Sequence, residues 1–134
     1  MPDSLWEELT RWAARRGFDG APVFLGIGHD SPAATPPHLL RFDAAIHVPG
    51  KFAPEGRIAH QVLPGGVFAV TTHAGHYATL PAAYRAVFPR LMRMKNYRVV
   101  GLPAIEVYHT TKVNQNLAMN HTDIYIPVAA SLAE

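Results

Sequence analysis

Cysteine is absent from the 134 residues. That removes a disulfide framework, thiolate metal sites and a cysteine nucleophile together. Charge is scarce, with Asp, Glu, Lys and Arg making up only 16% of the chain. The 12 basic residues against 10 acidic ones leave a formal charge of +2. Cations gather only at Arg15-Arg16 and between Arg90 and Arg98, too few for the clustered surface that a phosphate backbone requires. No apolar run approaches the roughly 20 residues of a membrane span. The opening MPDSLWEELTRW carries acids early and no apolar stretch of the signal-peptide kind. What is abundant is hydrophobicity, at 49%, which argues against disorder. The expectation is one soluble, cytoplasmic domain over 1–134, with no membrane and no direct nucleic-acid contact.

Along the chain, Asp3 or Ser4 can cap a first helix, with Glu7 completing a capping box after Ser4. Leu5, Trp6, Leu9, Trp12 and Ala13 fall at helical spacing, and Gly17 ends the run. PVFLGIG at 22–28 reads as a strand, the proline-rich stretch after it as a loop, and FDAAIHVP at 42–49 as a second strand. Residues 57–63 read as a third strand and 67–73 as another. A helix follows with Thr79 as N-cap, Pro81 in its first turn, and a stripe of Leu80, Tyr84, Val87, Phe88 and Leu91. Pro89 is expected to kink or shorten it. Two further strands, 103–109 and 123–128, flank a polar loop. The reading is therefore α+β: helix-strand-strand, then strand-helix-strand-strand. The halves echo one another, PVFLGIG corresponding to PAIEVYH, which suggests an internal duplication whose first half lacks its opening strand.

One residue in PAIEVYH is out of place. Strand alternation puts Ile105 and Val107 on one face, and Glu106 with Tyr108 on the other. The Ile/Val face suits the underside of a helix, which would leave Glu106 and Tyr108 looking into a cavity. In DIYIPV the same split sends Ile124 and Ile126 under the helix and Tyr125 to the opposite side. Aromatic walls around one buried carboxylate make a site for a flat molecule bearing positive charge or a donor. Without the neighbouring sequence, a lone strand glutamate reads more simply as a solvated one.

That neighbouring sequence is LPGGVFAVTTHAGHYATL, then GLPAIEVYH, then TDIYIPV, preceded by the tryptophan-bearing helix, HDSP and LLRFDAAIHV. In this order it resembles the GyrI-like (gyrase-inhibitor-like) small-molecule-binding family, which also supplies the effector-binding domain of AraC-type transcription regulators. The resemblance covers nearly the whole chain, with module 1 at about 1–50 and module 2 at about 56–130. It implies two pseudo-symmetric strand-helix-strand-strand modules forming a concave groove, helices on the outer side. It also implies small aromatic, often cationic, drug-like ligands, engaged by a glutamate at the position of Glu106. Tyr108, Tyr125, Trp12, Phe42 and Phe68 are the further expected ligand-binding residues. Leu91 stands where the resemblance leads one to expect a tryptophan.

Other constellations read as structure. HAGH at 73–76 offers two histidines with no third ligand at a firm offset, so no metal is expected. His73 suits a hydrogen bond at a strand end, and Arg41 and Asp43 could pair along one strand face. The PGG at 64–66 lacks the pattern of a phosphate cradle. No cofactor is implied. The resemblance, taken with these residues, implies three alternative functions: a sensor or sequestering protein for small aromatics, a hydrolase of reactive cyclopropane-type molecules using Glu106, or a protein-inhibiting module. The missing strand would leave a bare sheet edge that a homodimer, a fused upstream domain or truncation could account for. A regulatory role would need a separate DNA-binding partner or part, since one leading helix is too little for a helix-turn-helix.

Overall fold

A computed structural model describes residues 3–18, 20, 22–31, 34–63, 65–101, 103–109 and 121–131. Among them, helix α1 spans Asp3–Arg15 and helix α2 Leu80–Met92. Six strands follow in chain order: β1 (Phe24–Gly28), β2 (Phe42–Ile46), β3 (Val67–Ala74), β4 (Tyr97–Val99), β5 (Ala104–Tyr108) and β6 (His121–Ala130). They form one antiparallel sheet in the order β2-β1-β5-β6-β3, with β4 pairing with β6 beyond the end of β5. The architecture is the α+β groove fold, an open curled sheet with two helices. No helix among the described residues is long and apolar enough to cross a membrane.

The helix ends follow from local chemistry. Gly17 takes a positive φ of 74° after α1. Its N–H donates to Ala14, the N–H of Phe18 donates to Ala13, and the Phe18 ring packs on Trp12. This is a Schellman ending with its apolar contact. The capping box expected from Ser4 lies outside the described side chains. α2 runs past Pro89 to Met92, so the proline does not shorten it. Thr79 precedes α2 without capping it through its side chain. Its hydroxyl instead donates to the carbonyl of His76 and meets Nε2 of His73, each at 2.6 Å. Over 57–63 no strand forms, only a single bridge between Glu55 and Ile58. The short strand β4 escaped the sequence reading, because Tyr97, Arg98 and Val99 carry too little pattern to register.

Two apolar clusters hold the helices to the sheet. Leu80, Tyr84 and Leu91 of α2 pack on Ala104, Tyr108, Ile124 and Ile126. Leu91, the expected tryptophan position, is thus a core residue. Leu9, Trp12 and Ala13 of α1 pack with Phe18, Ala44, Ile46, Val48, Phe52 and Ile58. Paired residues in a sheet share a face, so the registers fix the rest. Glu106 is paired with Gly26 and Ile124, and stands on the face that carries both helices. Ile105, Val107, Leu25, Ile27 and Tyr125 share the other face. The alternation read in β5 is therefore right in period and reversed in sense. In β6 it is right in both, since Ile124 and Ile126 do lie under α2. The reversal in β5 has a physical cause: α2 brings a hydroxyl to Glu106, so the carboxylate is satisfied beneath the helix instead of away from it.

The duplication is visible in the pairing itself. Adding 80 to each residue number of the β1–β2 register reproduces the β5–β6 register, so that Leu25↔Ala45 becomes Ile105↔Tyr125. The same offset maps Gly26 onto Glu106, and these two are direct partners where β1 meets β5. The local two-fold passes between them. The sequence-based match of PVFLGIG with PAIEVYH was one residue out of this register.

Candidate functional site

At that axis the Glu106 side chain is buried, with 8% of the residue exposed. Its Oε2 accepts a hydrogen bond of 2.7 Å from the Tyr84 hydroxyl, and its Oε1 one of 2.6 Å from Tyr108. The first donor comes from α2 and the second from two residues along the same strand. Tyr108 reaches back because its partner strand offers a glycine. A Cβ at Gly26 would collide with the Tyr108 hydroxyl and with the Phe42 ring. Gly26 is a strand glycine kept open for close approach. Neither phenol ionises readily: burial, and then the neighbouring Glu106 charge, hold Tyr84 and Tyr108 far above the ordinary phenol range. Both therefore remain donors to the carboxylate.

Around this acid the walls are aromatic. Trp6 of α1 makes edge contacts with Phe24, Phe42 and Tyr108 at centroid distances of 5.8, 6.2 and 5.6 Å. Tyr77, ahead of α2, meets Tyr108 at 5.3 Å. Edge-to-face packing presents ring edges and faces alternately around the carboxylate. The ion pairs of the described residues run between surface groups, and none includes Glu106. Beside Tyr108 in the register, Thr122 is wholly buried, and its Oγ1 has no partner among the described residues. A carboxylate, an uncommitted hydroxyl and six aromatic rings thus converge at the junction of the two halves.

Of the residues expected from sequence, Glu106, Tyr108 and Phe42 meet here. Trp12 does not; it is 1% exposed in the α1 cluster, against Phe18 and Phe52. Tyr125 and Phe68 pack on each other at 6.0 Å on the opposite face. Trp6, Tyr77, Tyr84 and Gly26 also stand there and are not among the residues expected to bind ligand. One signal lay in the sequence, the place of Tyr84 in the helical stripe; Gly26 is set against Glu106 only by the strand registers. Arg41 pairs with Asp30 by two guanidinium bonds of 2.9 and 3.0 Å, while Asp43 pairs with His29 at 2.7 Å. The expected Arg41–Asp43 pair therefore does not form. His73 bonds Thr79 as a structural residue at the end of β3.

Residues 2–129 match the family model of the GyrI-like small molecule binding domain. The chain belongs to this family. Small-molecule binding is accordingly its general activity. Among curated proteins none matches the chain. Within the GyrI-like domain the site at the junction of the halves is the place where a buried acid meets an aromatic wall, and the match spans every residue in it.

Proposed function

We propose that this GyrI-like chain binds a flat aromatic molecule carrying positive charge or a strong donor, and that Glu106 is its counter-group. The observation that carries the reading is the carboxylate itself. It is buried, held by two neutral phenols and paired with no cation among the described residues. A buried charge in that state is expensive, and a ligand cation repays the cost that phenols offset only in part. The rings of Trp6, Tyr77, Phe42 and Tyr108 supply stacking and cation–π attraction to the same guest. The Thr122 hydroxyl, without a partner among the described residues, adds a polar contact beside Tyr108. A sensor or sequestering protein needs only this capacity to bind and release.

The test is a thermal-shift and calorimetric screen of aromatic cations against neutral polycyclic compounds of matched size. Cations are expected to stabilise the chain, and Glu106→Gln to weaken their binding about 10- to 100-fold, the worth of a hydrogen bond to a charged group. Neutral compounds should lose much less. Equal affinity for both classes in the parent chain, or cation binding untouched in Glu106→Gln, would sink the proposal.

A further inference from the structure

The 80-residue offset relates more than backbone. His109 Nε2 lies 2.7 Å from Asp123 Oδ2, and His29 Nε2 lies 2.7 Å from Asp43 Oδ2, the partners 14 residues apart in both pairs. Each pair clips one hairpin. The His109–Asp123 pair has a third member: Thr72 of β3 donates to Asp123 Oδ1 at 2.6 Å, from the position directly across the ladder. The His29–Asp43 pair has none among the described residues. Asp43 is correspondingly 49% exposed where Asp123 is 19% exposed.

The difference arises from the next strand. β6 is flanked by β3, but its counterpart β2 is an edge, paired only with β1 among the described residues. His29 donates its N–H to Arg41 and His47 donates to Val23. By the alternation of an antiparallel ladder, Arg41, Asp43, Ala45 and His47 thus point their backbone groups at β1. Phe42, Ala44 and Ile46 point theirs outward. Outside them is a cavity of about 760 Å³, walled by the consecutive residues 42–48, by Leu9 and Trp12 of α1, and by residues 57–63. Trp12 adds a buried indole N–H that has no acceptor among the described residues.

We infer that this cavity is a strand-acceptor slot: an extended peptide segment from another polypeptide adds antiparallel to β2, as β3 adds to β6. Its chemistry follows from the filled half. A Ser or Thr sits opposite Asp43 and donates to its Oδ1, which has no partner among the described residues, as Thr72 does to Asp123. Small or polar residues on either side of it face α1, in the places of Thr71 and His73. Main-chain hydrogen bonds to Phe42, Ala44 and Ile46 supply affinity, and the hydroxyl fixes register. This site is separate from Glu106 and does not depend on the ligand read there.

The probe is a synthetic peptide with the sequence of Val67–Ala74, the chain's own β3, added to the full chain and followed by amide hydrogen exchange. The amides of Phe42, Ala44 and Ile46 should exchange more slowly as the peptide binds. A peptide with alanine in place of Thr72 should bind about tenfold more weakly, the loss of one bond to a charged acceptor. In the chain carrying Asp43→Ala the two peptides should bind alike, while His29→Ala, which keeps Asp43, should still distinguish them. The inference is overturned if the three amides gain no protection at saturating peptide, or if Asp43→Ala still distinguishes the peptides. It is equally overturned if those amides are already protected in a concentration-dependent dimer without peptide, which would make the occupant a second copy of this chain.

Discussion

A glutamate and a glycine face each other across the middle of the sheet, and each depends on the other. Gly26 contributes the empty volume into which the Tyr108 hydroxyl and the Phe42 edge project. A methyl group there must push both aside. Gly26→Ala is therefore expected to destabilise the chain by about 1–3 kcal/mol through overpacking. It should also detach Tyr108 from Glu106, visible as an altered near-ultraviolet circular dichroism spectrum. Tyr84→Phe removes the donor to Oε2 and leaves that oxygen unpaired. A cost of about 1–3 kcal/mol in urea unfolding follows. The same variant frees Glu106 for a ligand, so cation binding should hold steady or tighten while stability falls. Glu106→Gln should move binding in the opposite direction. That divergence separates a groove acid from a purely structural one.

At the scale of elements, α1 is anchored through one side chain more than any other. Trp12 is buried against Leu9, Ala13, Phe18 and Phe52 and is covered by the Arg16 guanidinium at 5.7 Å. Trp12→Ala should cost about 3–5 kcal/mol in denaturant unfolding. Trp6→Ala touches the Glu106 site instead and should weaken aromatic ligands at a smaller cost in stability. The β5–β6 hairpin has a pH-sensitive clip. Hydrogen bonds from Thr72 and His109 hold Asp123 below its ordinary value of 3.8. The clip is at full strength above that value and is lost as pH falls below it. Asp123→Asn should flatten the acid limb of a stability–pH curve, measured by urea midpoint, and leave the neutral region lower. These elements were legible in unequal measure. α1 announced itself through Trp12 spacing and Gly17, and α2 through its Leu80–Leu91 stripe, because both rest on local periodicity. Which face of β5 met a helix was not legible. Ile105 and Val107 look like core residues, and nothing local to PAIEVYH reveals that Tyr84, 22 residues earlier, supplies the hydrogen bond that lets Glu106 lie underneath. The fate of residues 57–63 was lost for a similar reason: apolar alternation marks a strand only if a neighbour pairs with it.

Over the whole molecule, the buried phenols set the alkaline boundary. Tyr84 and Tyr108 are shifted upward from the ordinary phenol value of 10.0. Their contribution is complete below that value and falls as pH rises past it, because the unfolded chain then ionises first. Alkaline unfolding should therefore begin above about pH 10, and phenolate absorbance from Tyr84 and Tyr108 should appear together with the loss of helix, not before it. Tyr84→Phe should lessen the slope. The pseudo-symmetry itself could be glimpsed from sequence as an echo of halves, but its true offset needed the strand registers. Helices of equal length and hairpins of equal register were then free to carry unequal side chains.

Where a two-fold passes through a pair of equivalent positions, whatever occupies one must confront its own image in the other. Two glutamates there would repel, and two glycines would bind nothing. This chain breaks the tie with Glu106 on one side and Gly26 on the other. The walls beside the axis are unequal too, with an indole from α1 against Tyr108 and a phenol from α2 on Glu106. A ligand that spans this axis, as proposed, is therefore expected to bind one way round, and a complex holding it in both orientations equally would contradict that.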